Sequence, residues 1–336
     1  MDSVNAATPA DAVIVAVDGG GTKTDAVAVG ADGRLIAHAR MPGTTVEPQD
    51  LSPSVGIVDA AISEVLAKAG PRELLRCSVY LSGMDMPRDV ASFAEAIAET
   101  TWARASAHPV VVGNDMFALL RAGTRRPDAI AVVCGTGINC VGVRADGEVA
   151  RFAALGMISG DWGGGSTLGE AALWHAARAV DGRGDPTMLS RTVPAHLGLP
   201  DVQSVIEAFH YGRLGERTLP TLAPLVLQAS DAGDVVAGRV LDRQAEEIVA
   251  FAVAAITRLD LGGRPVPVVL GGGILAAGNR RLLDGVRSGL ARRAPDAEMI
   301  LVRSRPIVGA ALLALESIGC SEDVLVRAER ELSRVD

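Results

Sequence analysis

Aromatic residues are scarce in this sequence, which has three Trp, two Tyr and five Phe among its 336 residues. Hydrophobic residues nevertheless make up 49 % of the chain. The core must therefore consist mainly of Ala, Val, Leu and Ile. Because a chain of this length exceeds what one hydrophobic core usually serves, we expect two domains.

Positive charge is also in short supply. The net charge is −8, and Lys23 and Lys68 are the only lysines, so that almost all cations are Arg. A protein that binds nucleic acid in general needs a basic face. The composition therefore argues against nucleic acid as a partner.

Long apolar runs and paired cysteines are missing as well. Every apolar stretch is interrupted by Gly, Pro or a charge well before the roughly 18 residues that a membrane span needs. No Lys or Arg precedes the first apolar run, as it would in a signal peptide. The cysteines form no C-x-x-C pair and are read as free thiols of a reducing compartment: Cys77, Cys134, Cys140 and Cys320. These absences predict a cytoplasmic protein without a membrane partner.

The stretch around DGGGTKTD is the most informative part of the sequence. The apolar run Val13–Val17 predicts a buried strand, which ends at Asp18 and three glycines, and Ala26–Val29 predicts the next strand. Glycine allows several backbone amides to point at one place, and such a concavity binds anions. A phosphate with a metal beside Asp18 is the predicted occupant. The alternative is a plain hairpin in which Asp18 caps the turn.

The same pattern occurs twice. A third strand, Leu35–Arg40, follows the first turn, and the first third of the chain reads βββαβαβ, a mixed sheet with crossover helices. The strand Ala129–Cys134 starts a second copy, with the turn GTGIN, the strand Cys140–Val143 and a third run at Glu148–Phe152. This repetition predicts an internal duplication with two phosphate turns that face each other.

Each turn supplies its own candidate phosphate donors. In the first turn they are Gly20, Gly21 and Thr22, and in the second turn they are Gly135, Thr136 and Gly137. Lys23 is a further candidate, or it points to solvent. The segment is not a P-loop, because G-x-x-x-x-G-K-[ST] does not occur in it.

Three further segments carry candidate site residues. Asp115 follows the strand Val110–Val112 and could accept a proton or cap the next helix. The helix can be capped while Asp115 stays available only if Asn114 is the cap. Asp161 lies in the glycine-rich loop SGDWGGGSTLG and could bind a ligand or form an Asx-turn. Trp162 could stack on a ligand or pack on the following helix. Gly271, Gly272 and Gly273 follow a strand and precede a helix, without forming G-x-G-x-x-G.

Taken in order, these motifs resemble those of the sugar kinase, heat-shock chaperone and actin superfamily. DGGGTKTD, the Asn114–Asp115 junction, CGTGINC and SGDWGGG resemble the BadF/BadG ATPase and N-acetylglucosamine kinase group. The resemblance implies an α/β fold of two actin-like (ribonuclease H-like) domains with a nucleotide cleft between them. The expected boundaries are 1–113 plus 318–336 for the small N-terminal domain and 114–317 for the larger one.

The resemblance also implies roles for individual residues. ATP and Mg²⁺ are the expected cofactors, with Asp18 on the metal side, Gly271–Gly273 against the adenosine and Asp115 as the general base. The expected sugar-binding residues, besides Asp115, are Asn114, Gly137, Ile138, Asn139, Asp161, Trp162 and Thr44. Thr44 departs from the more usual Asn-containing pattern, and GDWGGG replaces the more usual GDEGS, as in glucosamine kinases of the actinobacterial type.

These expectations lead to a predicted activity. The chain is expected to phosphorylate the 6-hydroxyl of D-glucosamine with ATP, because both loops that would hold an acetyl group, 41–53 and 159–169, depart from the N-acetylglucosamine kinase pattern. The alternatives are an N-acetylglucosamine 6-kinase, an activator ATPase of a redox enzyme and a non-catalytic sugar sensor. Since the C-terminal helices are apolar, a homodimer is the expected assembly.

Overall fold

The central strand of the first sheet, β1 (Ala12–Gly19), is the apolar run that precedes DGGG. The chain is described here from a computed structural model over residues 11–334. The sheet has the order β3-β2-β1-β4-β5, in which β2 (Lys23–Gly30) and β3 (Leu35–Pro42) are antiparallel neighbours and β4 (Glu73–Leu81) and β5 (Val111–Asn114) are parallel ones. Because β1 is covered on both faces, its residues form a continuous apolar run.

Helices cover both faces of this sheet. They are α1 (Ser52–Ala69), α2 (Pro87–Ile97), α3 (Thr101–Ala105), α4 (Asp115–Gly123) and, near the end of the chain, α12 (Pro306–Ser317) and α13 (Glu322–Leu332). One core cluster joins the sheet to α1, α2 and α3. A second cluster joins its other face to α4, α12 and α13. Since its apolar residues are buried within this unit, α12 gives no support to the expected homodimer, which stays a prediction.

The second sheet repeats the first. Its order is β10-β9-β6-β7-β8, with the strands β6 (Ala129–Cys134), β7 (Ile138–Val143), β8 (Val149–Arg151), β9 (Val266–Gly271) and β10 (Ala297–Leu301). The strands β6, β7 and β8 form an antiparallel meander, and β9 and β10 are added in parallel. The duplicated mixed sheet predicted from the sequence is confirmed.

The helices of the second unit are more numerous than expected. They are α5 (Gly164–Val180), α6 (Leu189–His196), α7 (Val202–His210), α8 (Ala223–Asp231), α9 (Val235–Arg258), α10 (Gly273–Ala276) and α11 (Arg280–Arg293). The sequence predicts helices in this unit at 170–180, 203–210, 235–259 and 280–290, with loop signals over the rest of 190–220, so that α6 is missed. The helix α6 carries Pro194 internally, which disfavours a helix locally. Its buried Leu189 and Val193 hold it in the core instead.

The boundaries between the two units differ from the expected ones. The chain divides into 11–125 with 302–334, and 126–301, so that α4 and α12 belong to the first unit. These helices approach at backbone distance, because a Cβ on Gly309 would collide with the carbonyl of Ala118. Residues 1–10 lie outside the described residues. The sequence predicts a terminal helix over 322–335, and the end of that range, Val335, also lies outside them.

Two expectations about the chemistry of the chain concern membranes and thiols. Across residues 11–334, no helix combines the length and the apolar character that crossing a bilayer requires. All four cysteines are free, and Cys77, Cys134 and Cys140 are buried. Burial raises the pKa of each of these three thiols, which keeps them protonated and unreactive.

Candidate active site

Asp18 lies near the end of β1, where the first glycine turn begins. Its side chain is partly buried. Burial, together with the negative charges of Asp115 and Asp25, raises its pKa from 3.8 to about 8. The carboxyl groups of Asp18 and Asp115, which lie almost a hundred positions apart in the sequence, are therefore neighbours in the first unit.

The first glycine turn leaves two amides for a ligand. The amide of Gly20 donates to the carbonyl of Lys23 at 3.0 Å, and the carbonyl of Gly20 accepts from Thr44 at 2.8 Å. Within residues 11–334, the amides of Gly21 and Thr22 make no hydrogen bond. Both residues are exposed. An anion is the natural partner for two such adjacent amides.

The second glycine turn has the same arrangement. The amide of Gly135 donates to the carbonyl of Gly137 at 3.0 Å, and the carbonyl of Gly135 accepts from Gly165 at 2.8 Å. The amides of Thr136 and Gly137 find no partner in the part of the chain that the structure describes. The duplication therefore extends from the sheets to the hydrogen bonding of the turns.

In each unit, a later loop packs directly on the turn, and a glycine makes this approach possible. A Cβ on Gly43 would collide with the backbone of Gly21, and a Cβ on Gly164 would collide with that of Gly137. Gly164 also has a φ of +83°, which side chains rarely adopt. The middle glycine of GGG, Gly164, is thus required by the contact with the second turn.

Asn114 and Asp115 occupy the predicted junction between β5 and α4. Asn114 is the N-cap, because its side-chain oxygen accepts from the amide of Met116 at 3.0 Å. Asp115 is the first residue of the helix and is left free of the capping role. Burial, together with the negative charge of Asp85, raises the pKa of Asp115 from 3.8 to about 7. A carboxylate with such a pKa suits a general base near neutral pH.

Asp161 and Trp162 take different positions in the second unit. Asp161 is buried, and its carboxylate accepts from the hydroxyl of Ser159 in its own loop. The ring of Trp162 packs against the core of the second unit, and the guanidinium of Arg243 lies 4.1 Å from the ring centroid. Arg243 therefore occupies one face of the indole, and stacking of Trp162 on a sugar stays a prediction.

Gln244 was not expected from the sequence. It is fully buried in α9, accepts from the amide of Gly164 at 2.9 Å and donates to the sulfur of Cys134 at 3.3 Å. Gln244 thereby ties the loop that carries Asp161 to the end of β6. A polar residue on the apolar face of a long helix was the only sequence signal for this role.

Gly271–Gly273 lie beside the second turn. β9 pairs with β6 as far as Val133 and Gly271. Gly272 has a φ of +94° and approaches the backbone of Cys134 so closely that a Cβ would collide with it. Three glycine-rich segments therefore meet at the end of β6.

The placement of two expected sugar-binding residues differs from the prediction. Thr44 is buried, and its hydroxyl pairs with that of Thr24, so that its side chain is part of the fold. The neighbouring Thr45 is exposed and lies next to Gly21. Ile138 packs its side chain into the core of the second unit. Strand alternation in β7 turns Ile138 inward. Thr44 lies outside the strands, and its pairing with Thr24 of β2 holds it inward.

Lys23 and Asn139 have partners within their own units. The ammonium group of Lys23 lies 3.4 Å from the carboxylate of Asp25 and remains half-exposed. Asn139 accepts from the amide of Cys140 at 2.7 Å. Lys23 therefore contributes positive charge near the first turn and is anchored by an acidic residue of its own strand.

Asp25 is the largest omission of the sequence reasoning. This buried carboxylate accepts from Arg40 at 2.8 Å and from Arg305 at 2.6 Å, and it lies 3.0 Å from the imidazole of His38. Burial raises its pKa, but hydrogen bonds from Arg40, His38 and Arg305 prevail and hold the pKa well below its usual range. An acidic residue inside an apolar strand was the available signal.

The carboxylates of the first unit suit Mg²⁺ better than a transition metal. Among residues 11–334, no three His, Cys, Asp or Glu side chains converge on one point. Mg²⁺ needs only one or two carboxylates because it keeps several waters. Asp18, with Asp115 nearby, supplies oxygen ligands of that number and type beside the amides of the first turn.

Two units with the same mixed sheet, each with a glycine turn after its first strand, define the actin-like ATPase fold. The model of the BadF/BadG/BcrA/BcrD ATPase family matches residues 15–314, and the chain belongs to this family.

Individual relatives match over nearly the full length. An N-acetylmuramic acid/N-acetylglucosamine kinase of Clostridium acetobutylicum is 25 % identical over 90 % of this chain and 97 % of its own. An N-acetyl-D-glucosamine kinase of Dictyostelium discoideum is 26 % identical over 91 % of this chain and 98 % of its own. The solved structure of a candidate N-acetylglucosamine kinase from Chromobacterium violaceum has a TM-score of 0.69 at 26 % identity, covering 91 % of this chain and 100 % of that one.

Proposed function

We propose that the protein transfers the γ-phosphoryl group of ATP to the 6-hydroxyl of D-glucosamine. The observation that carries the proposal is the environment of Asp115, a partly buried carboxylate at the start of α4 with a pKa raised to about 7. The similarity to amino-sugar kinases over nine-tenths of the chain supports the reaction class.

Asp115 is the proposed general base. Its carboxylate takes the proton of the sugar 6-hydroxyl while the oxygen forms a bond to the γ-phosphorus and the bond from that phosphorus to the leaving ADP oxygen breaks. Because Asn114 caps α4, the Asp115 side chain is not needed for the cap and is left for the substrate. Phosphoryl transfer depends mainly on positioning and charge stabilisation, and both are available here.

The phosphates are assigned to the two glycine turns. The amides of Gly21 and Thr22, and those of Thr136 and Gly137, are the proposed donors. Asp18 would hold Mg²⁺, which supplies positive charge to the phosphate oxygens when bound. Gly271–Gly273 are assigned to the adenosine, since glycine lets a ligand approach the backbone closely.

Glucosamine is preferred over N-acetylglucosamine because of the loop around Asp161. The segment GDWGGG packs against the second turn and Gln244 through its glycines. The ring of Trp162, in the same segment, is covered on one face by the guanidinium of Arg243. The departure of this segment from the more usual GDEGS supports a substrate without the acetyl group. N-acetylglucosamine is the second candidate, since both relatives are N-acetylglucosamine kinases.

A coupled assay of ADP release tests the proposal. Glucosamine, N-acetylglucosamine, glucose and mannosamine are compared by kcat/KM with the wild type, with Asp115→Asn and with Asp89→Asn. Asp89 is a matched control because it also lies in the first turn of a helix of the same unit. We expect the highest kcat/KM for glucosamine and a loss of about 10²–10⁴-fold for Asp115→Asn, with Asp89→Asn unchanged.

Two results would overturn parts of the proposal. Sugar-dependent turnover by Asp115→Asn at the wild-type rate would remove Asp115 as the base. A kcat/KM for N-acetylglucosamine equal to or above that for glucosamine would replace the substrate and keep the reaction.

A further inference from the structure

Asp85 lies in the segment 82–86, which connects β4 to α2 and is held in place at several points. The amide of Ser82 donates to the carbonyl of Gly19 at 2.8 Å, and its hydroxyl donates to the carbonyl of Thr44 at 3.1 Å. Met84 is fully buried. The segment is thus fixed both to the strand that carries Asp18 and to the loop that packs on the first turn.

Asn114 connects this segment to the proposed base. Its side-chain nitrogen donates to the Asp85 carboxylate at 3.0 Å, while its oxygen accepts from the amide of Met116 at 3.0 Å. Only 3 % of Asn114 is exposed. Because an ionised carboxylate can only accept, Asp85 determines which way the Asn114 amide points, and its oxygen must then face the helix.

The consequence for Asp115 follows from its place in the chain. Asp115 is flanked by Asn114, the cap, and Met116, whose amide the cap binds. If the Asn114 side chain turned over, its NH₂ group would face the amide of Met116 and the first turn of α4 would lose its cap. A displacement of about 1 Å in a reacting group can cost on the order of 100-fold in rate.

We propose that Asp85 is a positioning residue that holds Asp115 in its reactive geometry through Asn114. The inference rests on the proposed function, since it concerns the same site. The charge of Asp85 also contributes to the raised pKa of Asp115, after burial, which agrees with the closeness of the two carboxylates.

Two variants, Asp85→Ala and Asp85→Asn, distinguish a positioning role of Asp85 from a purely structural role and from sugar binding. Alanine removes the acceptor for Asn114, whereas asparagine keeps an oxygen that can accept the same hydrogen bond. We expect Asp85→Ala to lower kcat on the order of 10- to 100-fold with the KM values for ATP and sugar within twofold. Asp85→Asn should recover kcat to within about threefold of the wild type, as hydrogen-bond retention requires.

Asp89→Ala is the matched control for structural damage to this part of the chain. Its carboxylate accepts from the amide of Met86 at 2.8 Å, so its loss perturbs the same segment without touching Asn114. Rates are measured well below the melting temperature of each variant. Asp89→Ala should lower the melting temperature and leave kcat near that of the wild type.

Three outcomes would overturn the inference. If Asp85→Ala keeps the wild-type kcat, Asp85 is only structural. If both Asp85 variants raise the sugar KM, Asp85 is a sugar ligand. If Asp89→Ala lowers kcat as much as Asp85→Ala does, the loss of rate comes from a general disturbance of the segment 82–86 and not from the contact between Asp85 and Asn114. A wild type without activity on any sugar would instead reject the proposed function, and the inference with it.

Discussion

Asp18 and Asp25 lie directly opposite each other in the antiparallel pair of β1 and β2, yet their pKa values move in opposite directions. Burial and the charges of Asp115 and Asp25 raise the pKa of Asp18 to about 8. Burial also acts on Asp25, but hydrogen bonds from Arg40, His38 and Arg305 lower its pKa strongly. Two neighbouring carboxyls are therefore kept in different protonation states by their partners.

The first prediction concerns the dependence of stability on pH. A carboxyl whose pKa is raised in the folded state, such as that of Asp18, binds its proton more tightly when folded. Its contribution to stability is complete below 3.8 and is lost as the pH rises through about 8. The free energy of unfolding of the ligand-free protein should therefore fall between pH 5 and pH 8, by at most about 1.4 kcal/mol per pH unit for each such group.

Denaturant unfolding at several pH values measures this slope, and Asp18→Asn should flatten it. Asp25 does not contribute to the slope in this range, because its lowered pKa gives a stability that is lost only as the pH falls below 3.8. A slope that is the same in the wild type and in Asp18→Asn would contradict the assignment.

The second prediction concerns the dependence of the rate on pH. Asp115 must be ionised to accept a proton, and its pKa is raised to about 7. We expect kcat/KM for the sugar to fall about tenfold per pH unit below that pKa. Coupled assays from pH 5 to pH 9 test this, and a profile that stays flat down to pH 5 would rule out a base with this pKa.

The third prediction concerns Asp25 as a structural residue. Asp25→Ala leaves Arg40, Arg305 and His38 without their shared acceptor. Because these side chains are partly exposed and can recruit water, we expect a loss of about 1–3 kcal/mol, less than for a fully buried pair. Asp284→Ala, which breaks only exposed ion pairs on α11, should change stability by less than about 1 kcal/mol. Equal losses in both variants would contradict the role of Asp25.

The fourth prediction compares two glycines, one with no room for a side chain and one that faces open space. Gly164→Ala forces a side chain into a φ of +83° and against the second turn, so we expect a loss of about 3 kcal/mol and a higher KM for ATP. Gly56 lies within α1 with nothing near its missing side chain. Gly56→Ala should therefore raise stability by about 0.5–1 kcal/mol. Thermal unfolding and ATP titration check both, and a harmless Gly164→Ala would show that the contact is not needed.

Much of the fold could be predicted because it depends on local pattern. The buried strands Val13–Val17 and Ala129–Cys134 are continuous apolar runs, and the turns after them carry glycines in both copies. The sequence predicts that Asp115 stays free of the capping role only if Asn114 caps the helix. In the structure Asn114 is the N-cap of α4. Capping chemistry involves only neighbouring residues, so the sequence contains all the information it needs.

Long-range contacts account for what could not be predicted. The expected boundary at 113/114 separates Asp115 from Asp18, whereas the packing of α12 on α4 keeps both in the first unit. The inward orientation of Thr44 depends on its contact with Thr24 in another strand. Such contacts depend on which segments meet in space, and no local period encodes them.

By itself, the sequence determined that a duplicated α/β chain carries two glycine turns and a carboxylate at the start of a helix, since apolar period, turn chemistry and capping are local properties. Only the tertiary structure decided which carboxyls act on one another. Asp85 reaches Asn114 across 29 positions, and Arg305 reaches Asp25 across 280. Burial and partner charges determine a pKa, and both exist only once distant segments have packed together.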